Sequence, residues 1–237
     1  MTDALFYELL TTDPITRARC FSKFPEVNNP VRIIGHIGPM LLHEQRTNTK
    51  ALSFLSYEVA EKFRFNPQLR NAEYQLPLEA RRNTDEQTSH IFDGVERYIQ
   101  RINNAVSFFP LVAQGSDEAR KKALKDYEDD LAKPETIIEF FRVLDDSNLP
   151  PPTLLSDEWA TFRFYQVNLL FALHTLYRHR GEMPSSLSNR ERTRLEHDEH
   201  DASLFVTAVM AGGLATKESK LIRWWHLLCP NKPIYDN

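Results

Sequence analysis

Apolar residues recur at helical spacing over most of this chain, and runs that read as strands are few and short. Ala4 to Leu10 is a short amphipathic segment. Thr12-Asp13-Pro14 offers a cap with proline at the first helical position, so a second helix is predicted through about Phe24. After a loop from Pro25 to Pro30, the β-branched run Val31-Arg32-Ile33-Ile34 stops at Gly35 as a buried strand would. Gly38-Pro39 then opens a helix carrying Met40, Leu41, Leu42, His43 and Glu44.

From about Asn48 to Asp146 the period is mostly helical. Phe54, Leu55, Val59 and Phe63 mark one face, and Ile91, Val95, Tyr98, Ile99 and Ile102 mark another. Gln114 to Asp130 is strongly charged and reads as a solvated helix or connector. Pro150-Pro151-Pro152 is a rigid break, and a long helix bearing Trp159, Phe162, Leu169, Leu173 and Leu176 is predicted from about Asp157 to Arg180. Pro184 to Arg194 reads as a polar loop. Next comes an acidic, histidine-containing helix start at His197 to Asp201, followed by an apolar helix and a Gly212-Gly213 turn. A brief strand ends that unit in Thr216-Lys217-Glu218, and Ser219 to Leu228 is a last helix containing Trp224-Trp225. Few, short strands separated by helices give the expected class: α/β, a small parallel sheet flanked by helices.

Composition narrows this picture modestly. At 237 residues, 41% hydrophobic and 26% charged, the chain can bury one good core or one core with a helical insertion. Seven glycines against 14 prolines argue against a sandwich or barrel rich in tight turns. The net charge of −4 announces no global basic surface for nucleic acid. Cys20 and Cys229 read as reduced thiols, and no apolar run approaches the roughly 18 to 20 residues of a membrane helix. A cytoplasmic protein without a membrane partner is expected.

The chemistry concentrates near the C-terminal end. Asp198 and Asp201 are three apart and share a helix face, where negative charge suits the macrodipole and capping is the plain reading. His197 and His200 at the same spacing add imidazole, which strengthens a metal reading; carboxylates alone suit magnesium or manganese.

Asp201-Ala202-Ser203-Leu204 through Gly212-Gly213-Leu214-Ala215-Thr216-Lys217-Glu218 resembles the last third of a PIN-domain nuclease, with Glu218 where that family usually carries aspartate. Met1-Thr2-Asp3-Ala4-Leu5-Phe6 is similar to the family's start, although only two residues precede Asp3. Leu41-Leu42-His43-Glu44 after Val31 to Ile34 fits the place of the family's second acid. The resemblance covers about residues 1–45 and 195–228 and implies a single PIN-like domain over 1–237, with residues 48–180 as a mainly helical insertion.

What the resemblance implies is a metal-dependent endoribonuclease. Asp3, Glu44 and Asp201 would hold Mg2+ or Mn2+, with Asp198 and Glu218 auxiliary, and the metal would activate water for in-line attack on a phosphodiester. His197 or His200 would orient water or contact phosphate, while Arg192, Arg194, Lys217 and Lys220 would hold the RNA backbone. Two other expectations stand beside it. Arg192-Thr193-Arg194-Leu195-Glu196-His197 resembles the Arg-x4-His motif of HEPN-type helical ribonucleases, which act without metal. Alternatively, the helical middle and Trp224-Trp225 make a scaffold or interaction subunit with a protein partner or a second copy.

Overall fold

The computed structural model describes residues 3–27, 31, 35–52, 66–92, 94–144, 146–184 and 186–235, without the side chains of 3, 4 and 87–92. In chain order its helices are α1 (Asp3–Thr11), α2 (Pro14–Phe21), α3 (Gly38–Thr47), α4 (Leu78–Phe92), α5 (Gly94–Ala105), α6 (Asp117–Leu131), α7 (Pro134–Leu144), α8 (Ala160–Arg178), α9 (Asn189–Ala211) and α10 (Ser219–Leu228). The expected PIN-like α/β sheet is not found among the described residues. The protein is 66% helix, and the sheet among those residues is one parallel pair, β1 (Leu214–Ala215) with β2 (Ile234–Tyr235). The physical reason is that short apolar runs carry no period of their own, so strand and loop cannot be told apart in them. Val31 lies in irregular backbone, and residues 32–34 of the expected strand lie outside the described residues. So does the expected helix face through Phe54, Leu55, Val59 and Phe63.

The chain divides into two compact units, 1–36 with 52–93 and 37–51 with 94–237. In the first, Phe6 and Leu10 of α1 meet Phe21 of α2 and Leu69 of the 3-10 turn Pro67–Arg70. Asp13 caps α2 as its sequence predicts, its carboxylate accepting from the Thr16 N–H at 2.9 Å, with Pro14 first in the helix. Arg70 donates to the last α2 carbonyl, that of Phe21, and to the Phe24 and Pro25 carbonyls beyond the helix.

The second unit is a helical assembly around α8, which packs against α3, α5, α6, α7 and α9. Phe162, Val167, Leu170, Leu173 and Leu176 of α8 are all completely buried. A helix that is apolar nearly all round belongs at the centre of such an assembly. The long helix read from the sequence is therefore present. It ends where Gly181 takes φ +87°, a conformation that glycine adopts without strain.

Helix α9 departs from expectation. Residues taken for a polar loop form its first turns, because Ser188 and Glu191 close a reciprocal capping box: the Ser188 hydroxyl accepts from the Glu191 N–H, and the Glu191 carboxylate accepts from the Ser188 N–H. The His197 to Asp201 cluster consequently sits in the middle of a 23-residue helix rather than at a helix N-terminus. The macrodipole argument for its acids falls away. The helix closes at Gly212, with φ +81°, and β1 follows.

Candidate functional site

The residues expected to bind metal are placed in different surroundings. Asp3 opens α1 in the first unit. Glu44, on α3 of the second unit, is completely buried. One of its carboxylate oxygens accepts from the N–H groups of Ala51 and Ala160 at 3.1 and 2.9 Å, and the other from Thr161 N–H at 2.7 Å. Glu44 thus caps the N-terminus of α8 from a neighbouring helix. Trp159, at the N-cap position, has no side-chain oxygen to do so.

The other acids gather between α8, α9 and α10. Asp198 pairs with Arg178 at 2.8 Å and lies 3.8 Å from the Lys220 ammonium. Lys220 itself lies over two rings, 4.7 Å from the Phe171 centroid and 5.3 Å from that of Trp224. Asp201 is half-buried. Burial, the Glu218 charge and Asp198 push its carboxyl up to about 6, against the opposing pull of Lys220 and His197. Glu218 is exposed at the N-cap position of α10.

Three of the carboxylates that the resemblance assigns to a hard cation have other engagements. Glu44 is committed to backbone donors, Asp198 to an arginine and a lysine, and Asp201 holds its proton well above the usual carboxylate range. Among the described residues no group of three or more His, Cys, Asp or Glu is arranged to hold a metal ion. Of the expected RNA-backbone residues, Arg192 pairs with Glu96 at 3.0 Å and lies 3.7 Å from Glu196. Arg194 and Lys217 are exposed, and His200 is half-buried. Arg192 and His197 are both exposed on α9. Five positions on an ideal helix separate two side chains by about 140°, so the HEPN-like pair does not converge within this helix.

Asp201 has a testable consequence of its own. Its folded value lies above the ordinary 3.8, so the folded state holds a proton that the unfolded chain releases. Stability from this group is full below about pH 4, falls as pH rises toward 6, and stays lower above it. Asp201→Asn is expected to stabilise the protein at pH 7.5 by about 1 kcal/mol, allowing for partial solvent screening, and to lose that advantage near pH 4. Thermal melts of both proteins at the two pH values check it.

A polar centre that sequence reading missed lies at Glu128 on α6. Its buried carboxylate accepts from Trp224 Nε1 at 2.7 Å and Arg223 at 2.5 Å, and pairs with His174 Nε2 at 2.6 Å. One oxygen thereby ties α6 to α8 and α10. The available signal was spacing: Glu128 falls on the stripe of Leu124 and Leu131, where a solvated glutamate has no place.

The second unit also carries an open groove of about 580 Å3 beside α6 and α7. Its walls include Phe108, Tyr127, Leu131, Phe140, Val143 and Leu169. Asp130, Glu135, Glu139 and Arg142 are the charged residues of its lining. Phe108 and Phe140 meet at a tilt with centroids 4.6 Å apart, and Phe140 leads on to Tyr165 at 5.7 Å. Val143 is 62% exposed although it follows the buried Phe141 on an otherwise amphipathic helix. No family model, no curated protein and no solved structure matches this chain.

Proposed function

We propose that the second unit is a protein-interaction module whose groove beside α6 and α7 receives an amphipathic, basic segment of a partner polypeptide. The observation that carries this reading is the groove itself: an aromatic and aliphatic trough with three carboxylates and one arginine on its lining. An open trough of this size lined by large apolar side chains is a surface that proteins ordinarily cover. A helix laid into it would present apolar anchors at i, i+3, i+4 and i+7. Asp130 and Glu139 form exposed pairs with Lys133 and Arg142, at 2.7 and 3.0 Å, which are weak enough to exchange for a ligand's lysines. The carboxylate excess favours a basic partner over an acidic one.

The test is calorimetric titration with a synthetic Leu/Lys amphipathic helix, with a Leu/Glu peptide of the same pattern as control. Only the basic peptide is expected to bind, with affinity falling as salt is raised. Val143→Glu, which places a charge in the trough, is expected to weaken it about tenfold or more. Equal binding of both peptides, or no effect of Val143→Glu, would refute the assignment. A carboxylate-site ribonuclease is the alternative proposal; RNA cleavage abolished by Asp201→Asn would establish it instead.

A further inference from the structure

Charge is distributed unevenly along the groove beside α6 and α7. Glu135, Glu139 and Arg142 stand at i, i+4 and i+7 on α7, so they form one stripe about 10 Å long. Thr136, Phe140 and Val143 repeat the same spacing and form a less polar stripe beside it. Ala132 and Lys133 alone join α6 to α7, so Asp130, next to last on α6, shares the Glu135 end of the charged stripe.

Pairing separates the two ends further. Glu139 and Arg142 lie 3.0 Å apart and compensate each other toward the C-terminal end of α7. At the corner between the helices Lys133 pairs with Asp130 at 2.7 Å. Its ammonium is held above the ordinary lysine range by Asp130 first, then by Asp129 and Glu135. One lysine does not balance these carboxylates, and the corner keeps negative charge. The macrodipoles leave this asymmetry in place. The C-terminus of α6 and the N-terminus of α7 meet at the corner with opposite signs, and the C-terminus of α7 adds only about half a charge at the far end. The stripe is about as long as the Debye length of roughly 8 Å at physiological salt, so a ligand reads each end separately.

We infer that the groove takes an amphipathic helix whose cations are gathered at one end, and that this end docks at the Asp130–Glu135 corner whichever way the ligand's chain runs. Its uncharged, apolar end then covers Val143. The inference rests on the helix-binding reading of the groove and adds to it the partner's charge order and orientation.

Three synthetic peptides of one composition, about four turns long and with leucines at helical spacing, test this on the whole chain. One carries its lysines in the first turns, one in the last turns, and one spread evenly. A nitroxide at the lysine end of either segregated peptide is expected to broaden amides from Asp130 to Thr136, and one at the opposite end those from Arg142 to Leu144. Both segregated peptides are expected to bind about fivefold tighter than the evenly spread isomer. Combining Glu135→Lys with Arg142→Glu, both at exposed positions, moves the negative charge to the far end and is expected to reverse the broadening. A fixed chain direction for both segregated peptides, mixed orientations, equal affinity of all three peptides, or an orientation unchanged by the exchange overturns this inference and leaves helix binding by the groove standing. No binding of any of the three overturns both.

Discussion

Glu44→Ala is expected to cost about 3–5 kcal/mol of folding stability, read as a fall in the denaturation midpoint. Total stabilities are of order 5–15 kcal/mol, so this is a large fraction of the whole. Three backbone N–H groups at Ala51, Ala160 and Thr161 lose their acceptor in a site that water does not reach. Two of those groups belong to the first turn of α8, the helix on which the unit is assembled. Glu44→Gln sharpens the test. Its amide keeps one oxygen for Ala51 and Ala160 but must turn an NH2 group toward the Thr161 N–H, so about half of the loss is expected to persist. Hydrogen exchange at Ala160 and Thr161 is expected to accelerate in both variants. A glutamate serving only as a metal ligand would give the opposite result, with stability nearly unchanged in metal-free buffer.

Glu128→Ala is the second large effect, also of about 3–5 kcal/mol. Arg223 is 53% exposed and turns to solvent, but Trp224 is completely buried and its Nε1 is left without an acceptor. The His174 ring, 4.8 Å from that indole, loses its carboxylate as well. Glu128→Gln, of nearly the same shape, tests the charge apart from the packing and is expected to retain the Trp224 bond while losing the attraction to Arg223. The pH dependence has a definite sign. Burial raises the Glu128 carboxyl, but His174, Trp224 and Arg223 together outweigh it and bring the group below its ordinary 4.5. Its contribution is therefore fully present above about pH 4.5 and lost as pH falls through the lowered folded value. Wild type is expected to lose stability more steeply than Glu128→Gln on acidification below about pH 4.5; parallel curves would contradict the assignment.

Much of the helical framework was legible because its period is strong. The Asp13-Pro14 start of α2, the apolar length of α8 and the Trp224-Trp225 helix all follow from spacing and caps. The sheet was overread because short apolar runs carry no strand period of their own; the brief strand expected after Gly212-Gly213 is present, but only as the two-residue β1, Leu214–Ala215. The surroundings of the candidate acids were not legible for a related reason. Glu44 and Asp198 look like solvent-facing acids in isolation. Yet Glu44 stands four residues after the buried Met40, and Arg178, the partner of Asp198, comes from another helix. Which acceptor meets which donor is fixed by tertiary packing, and sequence spacing reports only neighbours on one helix. The groove was invisible too, since Leu169 of α8 and Phe108 close it against α6 and α7 only in the packed chain. Even so, exposed Val143 on the amphipathic α7 was a readable hint.

Amide chemical-shift mapping with the basic amphipathic peptide tests the central claim most directly, because it reports where on the chain a ligand sits. Perturbations are predicted to cluster at Tyr127 to Leu131 and Glu135 to Val143, along the two helices that wall the groove. Perturbations centred instead on Asp198, Asp201 and Lys220, or none at saturating peptide, would contradict the account.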